Sequence, residues 1–219
     1  VTVSADGPAQ LRAQLRSSAD PRVARTRATL FAAVRRLPGD GRDVTVSAVA
    51  AAAGVSRSVF YTHFEDLADL ALQLIEPHLA SVADYVVVQN QTHADPGTAM
   101  LDAQRRLTAF FRENRALFVS VLRAEPTRAV VVEGLRQALQ QSVAGHLDRL
   151  GGVPAPWQAD VVTVYFSAAA VQVVVAWLLG ELVLDEEALA QHLFALMPVW
   201  LYTGPTTPSP STAHEEDAP

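Results

Sequence analysis

Residues 45–64 read TVSAVAAAAGVSRSVFYTHF, and their side chains spell two short helices set at a turn. Val46, Val49, Ala50 and Ala53 recur at i, i+3, i+4 and i+7, the spacing of a single helix face. Gly54 follows as the residue best able to leave that helix through a left-handed conformation. Ser56 is placed to cap a second helix, in which Val59, Phe60 and Phe64 form the apolar stripe. Arg57, Ser58, Tyr61, Thr62 and His63 are then left to face outward. Two helices that cross steeply need small residues where they touch, and Ala50, Ala53 and Gly54 supply them. Such a helix-turn-helix can lay its second helix in a major groove, although small helical hairpins also occur in proteins that never meet DNA.

The charge distribution favours the nucleic-acid reading. The chain of 219 residues has a net charge of -6, no cysteine, and arginine as its only strongly basic residue. Residues 1–64 nevertheless hold nine arginines against Asp6, Asp20, Asp40 and Asp43, a local balance of +5, so the remainder carries -11. A basic surplus gathered on the helix-turn-helix is what phosphate binding requires. The absence of cysteine excludes disulfide and thiolate-metal frameworks and suits a cytoplasmic setting.

Upstream, residues 1–20 read as a flexible extension and not as a signal peptide, because no apolar core follows the charges. Residues 10–16 could form a helical turn with Arg12 and Arg16 on one side, as a solvated tail or as an arm reaching DNA. A helix is expected over 21–37, with proline in its first turn and Val23, Thr26, Leu30, Ala33, Val34 and Leu37 inward. It completes a three-helix domain over 21–66.

These residues resemble the TetR family of bacterial transcription regulators. The resemblance covers about residues 27–70 and rests on Val49-Ala50, Ala53-Gly54-Val55-Ser56, Tyr61, His63 and Phe64. It implies a fold that is all-α, a DNA-binding domain followed by a larger helical domain for ligand binding and dimerisation. It also implies DNA contacts by Thr45, Ser47, Ser56, Arg57, Ser58, Tyr61, Thr62 and His63, with Arg57, Ser58 and Thr62 at base edges and Tyr61 and His63 on the backbone. Ser47 and Leu67 stand where the family pattern is usually basic, and the link between the first two helices is about a residue short, with Arg42 in place of an aromatic.

After Phe64 aliphatic residues rise and basic ones thin out. The larger domain is expected over 67–202, with helices at about 66–91, 98–114, 115–125, 127–150, 157–180 and 186–202. Pro77 should break or kink the first of these. Residues 203–219 lack the apolar content to pack and read as a disordered tail. Residues 161–180 contain no charge over a length that could span a bilayer, but they have acidic flanks and no arginine after Arg149, so no membrane association is expected. A helix apolar on nearly every side is then one buried both in its own domain and against a partner. Trp177, Leu189, Leu193, Leu196, Met197 and Trp200 are the expected homodimer surface.

For a ligand cavity the expectation, also from the resemblance, falls on Gln104, Phe111, Phe118, Leu122, Trp157, Tyr165 and Phe166, bulky or isolated polar residues on helices that should converge. No phosphate loop, nucleophile elbow or paired metal-ligand spacing occurs, so neither an enzyme nor a cofactor or metal is expected. The leading expectation is a repressor that binds a near-palindromic double-stranded operator as a homodimer and is released by a small, largely apolar effector. The alternative is an all-helical interaction protein or small-molecule carrier without operator binding.

Overall fold

The computed structural model describes residues 7–16, 18, 20–37, 43–91 and 95–204, and among these every regular element is a helix. The helices are α1 (Gly7–Arg16), α2 (Pro21–Arg35), α3 (Val46–Ala53), α4 (Arg57–His63), α5 (Leu67–Gln91) and α6 (Pro96–Glu113), followed by α7 (Arg115–Arg123), α8 (Glu125–Leu150), α9 (Ala159–Leu179), α10 (Glu186–Ala195) and α11 (Trp200–Thr203).

Local chemistry sets the ends of the first helices. Asp20 caps α2 by accepting from the Arg22 amide, ahead of Pro21, whose missing N–H is one that no helix start can satisfy. Thr45 caps α3 by accepting from Ala48 N at 3.1 Å. Gly54 leaves that helix at φ 70°, in the left-handed region where a side chain would be strained. Ser56 caps α4 through Val59 N, and Asp66 caps α5 through Asp69 N. Arg36 reaches from the end of α2 to the Ala52 carbonyl at 2.7 Å, fastening α2 to the end of α3.

Leu30 and Val34 of α2, Val49 of α3, and Phe60 and Phe64 are fully buried together. The Phe64 ring lies 5.6 Å from both Phe31 and Phe60, with the Arg27 guanidinium 5.3 Å above it. This core is continuous with the larger domain through Ala68, Leu70 and Ala71 of α5.

Residues 7–16 differ from the expected extension. They form a helix that lies against α4, tied by Arg12 to Glu65 at 3.5 Å and by Arg16 to Asp69 at 3.0 Å. Ion pairs across 53 residues of chain carry no local periodic signature, which is why a short polar segment read as a tail. The expected tail at 203–219 lies outside the described residues beyond Gly204.

In the larger domain α5 runs unbroken through Pro77, so the break expected there does not occur. The helix expected over 186–202 is instead two. Pro198, which cannot donate to the preceding turn, separates α10 from α11 and turns Trp200 back toward Leu147, Val162 and Leu201. Helix α9 is long and apolar enough to cross a membrane by length and composition, but one side of it is packed within the fold, chiefly on α8 and α7.

Candidate DNA-binding face and ligand cavity

Helix α4 divides its side chains cleanly. Phe60 and His63 point into the domain, and Arg57, Ser58 and Tyr61 stand in solvent beside the exposed Thr45, Ser47 and Ser56. Arg57 has neither an ion pair nor a hydrogen bond among the described residues, so its guanidinium is available to an external acceptor. Thr62 is partly covered, and its hydroxyl donates to the Ser58 carbonyl. His63 corrects the outward reading: it is only 7% exposed, and its Nδ1 is buried without a partner. Sitting six positions after Arg57, it falls on the same side of α4 as Phe60, which the core claims.

The larger domain encloses a cavity of about 200 Å³ between α5, α6, α8, α9, α10 and α11. Its wall is mainly aliphatic, with Leu79 and Val82 from α5, Ala103 and Leu107 from α6, Leu139 and Val143 from α8, and Ala170 and Val173 from α9. Helix α10 packs chiefly on α6, where Arg105 pairs with Glu187 and Arg112 with Glu186. The cavity accordingly opens between α9 and the end of α10, where Tyr165, Ala169 and Leu196 are exposed.

Of the expected cavity residues, Gln104, Tyr165 and Phe166 line it. Phe111 lines a small neighbouring void. Phe118 and Leu122 do not; both are fully buried in the core, where the Phe118 ring packs 4.9 Å from Phe111. Trp157 lies outside the cavity, exposed and stacked on Trp200. Ser142 and His146 of α8 were missed. The signal was present, since two polar residues four apart on an otherwise apolar helix face share a direction.

The expected dimer surface also changes. Trp177, Leu189 and Leu193 are buried within the single chain, and the Trp177 indole donates to the Leu184 carbonyl at 2.9 Å. Trp200 is half-buried against α8 and α9 residues, and only Leu196, 70% exposed, remains free. The exposed apolar side chains of α9 are instead Val161, Val164 and Tyr165.

Three histidines are buried enough to disfavour their cations. Burial first, and then Arg27, lowers the pKa of His63; burial also dominates at His78 and His146, against hydrogen bonds to the Arg106 and Leu201 carbonyls that act the other way. Each group is lowered in the folded state, so the unfolded chain binds protons first as pH falls. Stability should therefore be intact above about pH 6.5 and decline below it. Urea denaturation at pH 7.5, 6.5 and 5.5 checks this, with a midpoint that falls toward acid and a shallower fall in His146→Gln.

A capped helix pair that presents Arg57 to solvent, joined to a helical domain enclosing an apolar cavity, has the form of a helix-turn-helix domain followed by a larger helical domain. Residues 30–74 match the family model described as bacterial regulatory proteins, tetR family. Residues 30–74 thus carry the likeness to TetR-family DNA-binding domains, over the helices that hold the turn and its caps. Among solved structures, the fatty acid degradation regulator FadR from Bacillus halodurans aligns over 86% of this chain and 98% of its own, at 15% identity and a TM-score of 0.51, a likeness of fold. A tetR-family transcriptional regulator from Streptomyces coelicolor aligns over 78% of each chain at 21% identity and a TM-score of 0.49. The FadR of Bacillus subtilis, solved with stearoyl-CoA, aligns over 81% of this chain and 98% of its own at 13% identity and a TM-score of 0.49. No curated protein sequence matches the chain.

Proposed function

We propose that the protein is a one-component repressor that binds a near-palindromic operator as a homodimer and is released when a small, largely apolar ligand fills the cavity. The observation that carries the reading is the division of α4 into a buried Phe60 side and an unpaired Arg57, Ser58 and Tyr61 side. On a duplex, Arg57 and Ser58 reach base edges from the first turn of α4, and Thr45, Ser47, Ser56 and Tyr61 meet phosphates. Thr62 flanks the base edges. His63 acts as a core residue that sets the height of α4.

Coupling runs through α5. Its first turns share the core of the DNA-binding domain through Ala68, Leu70 and Ala71, and its later turns supply Leu79, Val82 and Val86 to the cavity wall. Between them Leu72 lies so close to Gly134 of α8 that a Cβ there would stand 2.6 Å from its methyl groups, which makes this contact a fulcrum. A second tie joins Ser120 of α7 to the backbone N–H of Val44 at 3.0 Å, one residue before the α3 cap. A ligand that favours one setting of α5 shifts the two recognition helices by its difference in affinity for the two settings.

Arg57→Ala is expected to weaken operator binding by about 1–3 kcal/mol and to relax sequence preference, with fold and assembly unchanged. Operator fragments selected by the purified protein from genomic DNA, titrated in mobility-shift assays at fixed salt, measure it. Equal affinity and equal preference in the variant would remove the assignment of α4 as the reading helix. Failure to retain any DNA would favour the carrier alternative.

A further inference from the structure

The cavity has one polar corner, and its chemistry is specific. Ser142 and His146 lie one turn apart on α8, and both line the cavity. The His146 Nε2 is 2.8 Å from the Leu201 carbonyl oxygen. A carbonyl can only accept, so this contact places the ring proton on Nε2 and leaves Nδ1 as a lone-pair acceptor. Neither His146 Nδ1 nor the Ser142 hydroxyl has a hydrogen-bond partner among the described residues. The lining contains no arginine and no carboxylate; its other uncharged polar groups are Gln104, whose amide approaches the Met100 sulfur, and the Tyr165 hydroxyl at the mouth.

We propose that this corner recognises the hydroxyl group of a neutral amphiphile, an alcohol or phenol with a long apolar body, donating to His146 Nδ1 and accepting from Ser142. A hydroxyl is the simplest group that satisfies both, since it donates and accepts at once. An ether can accept from Ser142 but leaves Nδ1 unpaired. A carboxylate presents only lone pairs to Nδ1, loses its hydration and finds no cation in the wall. Burial of the imidazole, reinforced by the nearby Arg149 charge, keeps it neutral and so preserves the acceptor. The aliphatic remainder of the wall supplies the attraction for the body of the ligand, and the selection among head groups comes from this corner.

This inference rests on the reading of the cavity as the effector site, and its test separates the two. Full-length protein is titrated with 1-octanol, methyl octyl ether and octanoate, following displacement of an apolar fluorescent dye and the shift in melting temperature. Octanol is expected to bind roughly tenfold more tightly than the ether, the worth of one net hydrogen bond, and octanoate more weakly still. His146→Phe should abolish the preference for octanol over the ether, and Ser142→Ala should reduce it. If His146→Phe does not fold, the wild-type comparison of alcohol and ether still decides. Equal binding of ether and alcohol, tighter binding of octanoate, no binding of any of the three, or a preference that survives in His146→Phe would each overturn the proposal. Release of DNA is read separately. His146-dependent octanol binding without any change in operator affinity would remove the effector role and leave the head-group assignment standing.

Discussion

Phe64→Ala is expected to cost about 3–5 kcal/mol, enough to leave the DNA-binding domain largely unfolded at 37 °C. The ring is fully buried at the junction of α4 and α5, where it packs on Phe31 and Phe60 and lies under the Arg27 guanidinium. Removing it leaves a cavity whose collapse is opposed by the tie of Arg36 at the end of α2 to the Ala52 carbonyl of α3. Burial also lowers the Arg27 pKa, so that cation loses the aromatic face that compensates it. Urea melts should show the loss at neutral pH, and operator binding should fall with it. Phe64→Leu, which keeps most of the volume, should recover much of both. A midpoint within experimental error of wild type would mean that the core of this domain lies elsewhere.

The DNA-binding domain was legible in the sequence because its decisive signals are local. Thr45, Gly54 and Ser56 each act within one turn of their own position, so residue type and spacing determine the helix ends. His63 is the exception: a polar residue at the end of a helix reads as solvent-facing, and only the tertiary packing around α4 shows that its side is inside.

The larger domain was legible only as helices. In α9 apolar residues occur on all sides, so no periodic contrast separates the face packed on α8 from the exposed face of Val161 and Val164. Leu189 and Leu193 form an apolar stripe on α10, but that it is buried within the chain is a matter of tertiary packing between residues far apart in sequence, which the stripe itself does not reveal. Cavities are harder still, because they form where small residues fail to fill space. Ala103, Ala169 and Ala170 line this one, whereas the bulky Phe118 and Leu122 fill the core beside it. A search for aromatic residues therefore points at the filled space.

Val161→Asp combined with Val164→Asp should convert the proposed dimer to monomer and reduce operator affinity by far more than Arg57→Ala. Two recognition helices about 34 Å apart are needed to read adjacent major grooves, and a lone subunit forfeits half of those contacts. Val161 is 59% exposed and Val164 also stands in solvent, so in a single chain the substitutions meet water and should leave the melting temperature nearly unchanged. Against a partner's apolar stripe the same carboxylates would be buried without counter-ions, a penalty of about 3–5 kcal/mol for each uncompensated charge. The neighbouring Tyr165 and Leu196 both stand at the cavity mouth, so the surface proposed to meet the second copy borders the ligand entrance. Sedimentation velocity at micromolar concentration reads the assembly, and mobility shift reads the operator. A normal dimer with normal DNA affinity in the double variant would show that the α9 stripe is not where two copies meet.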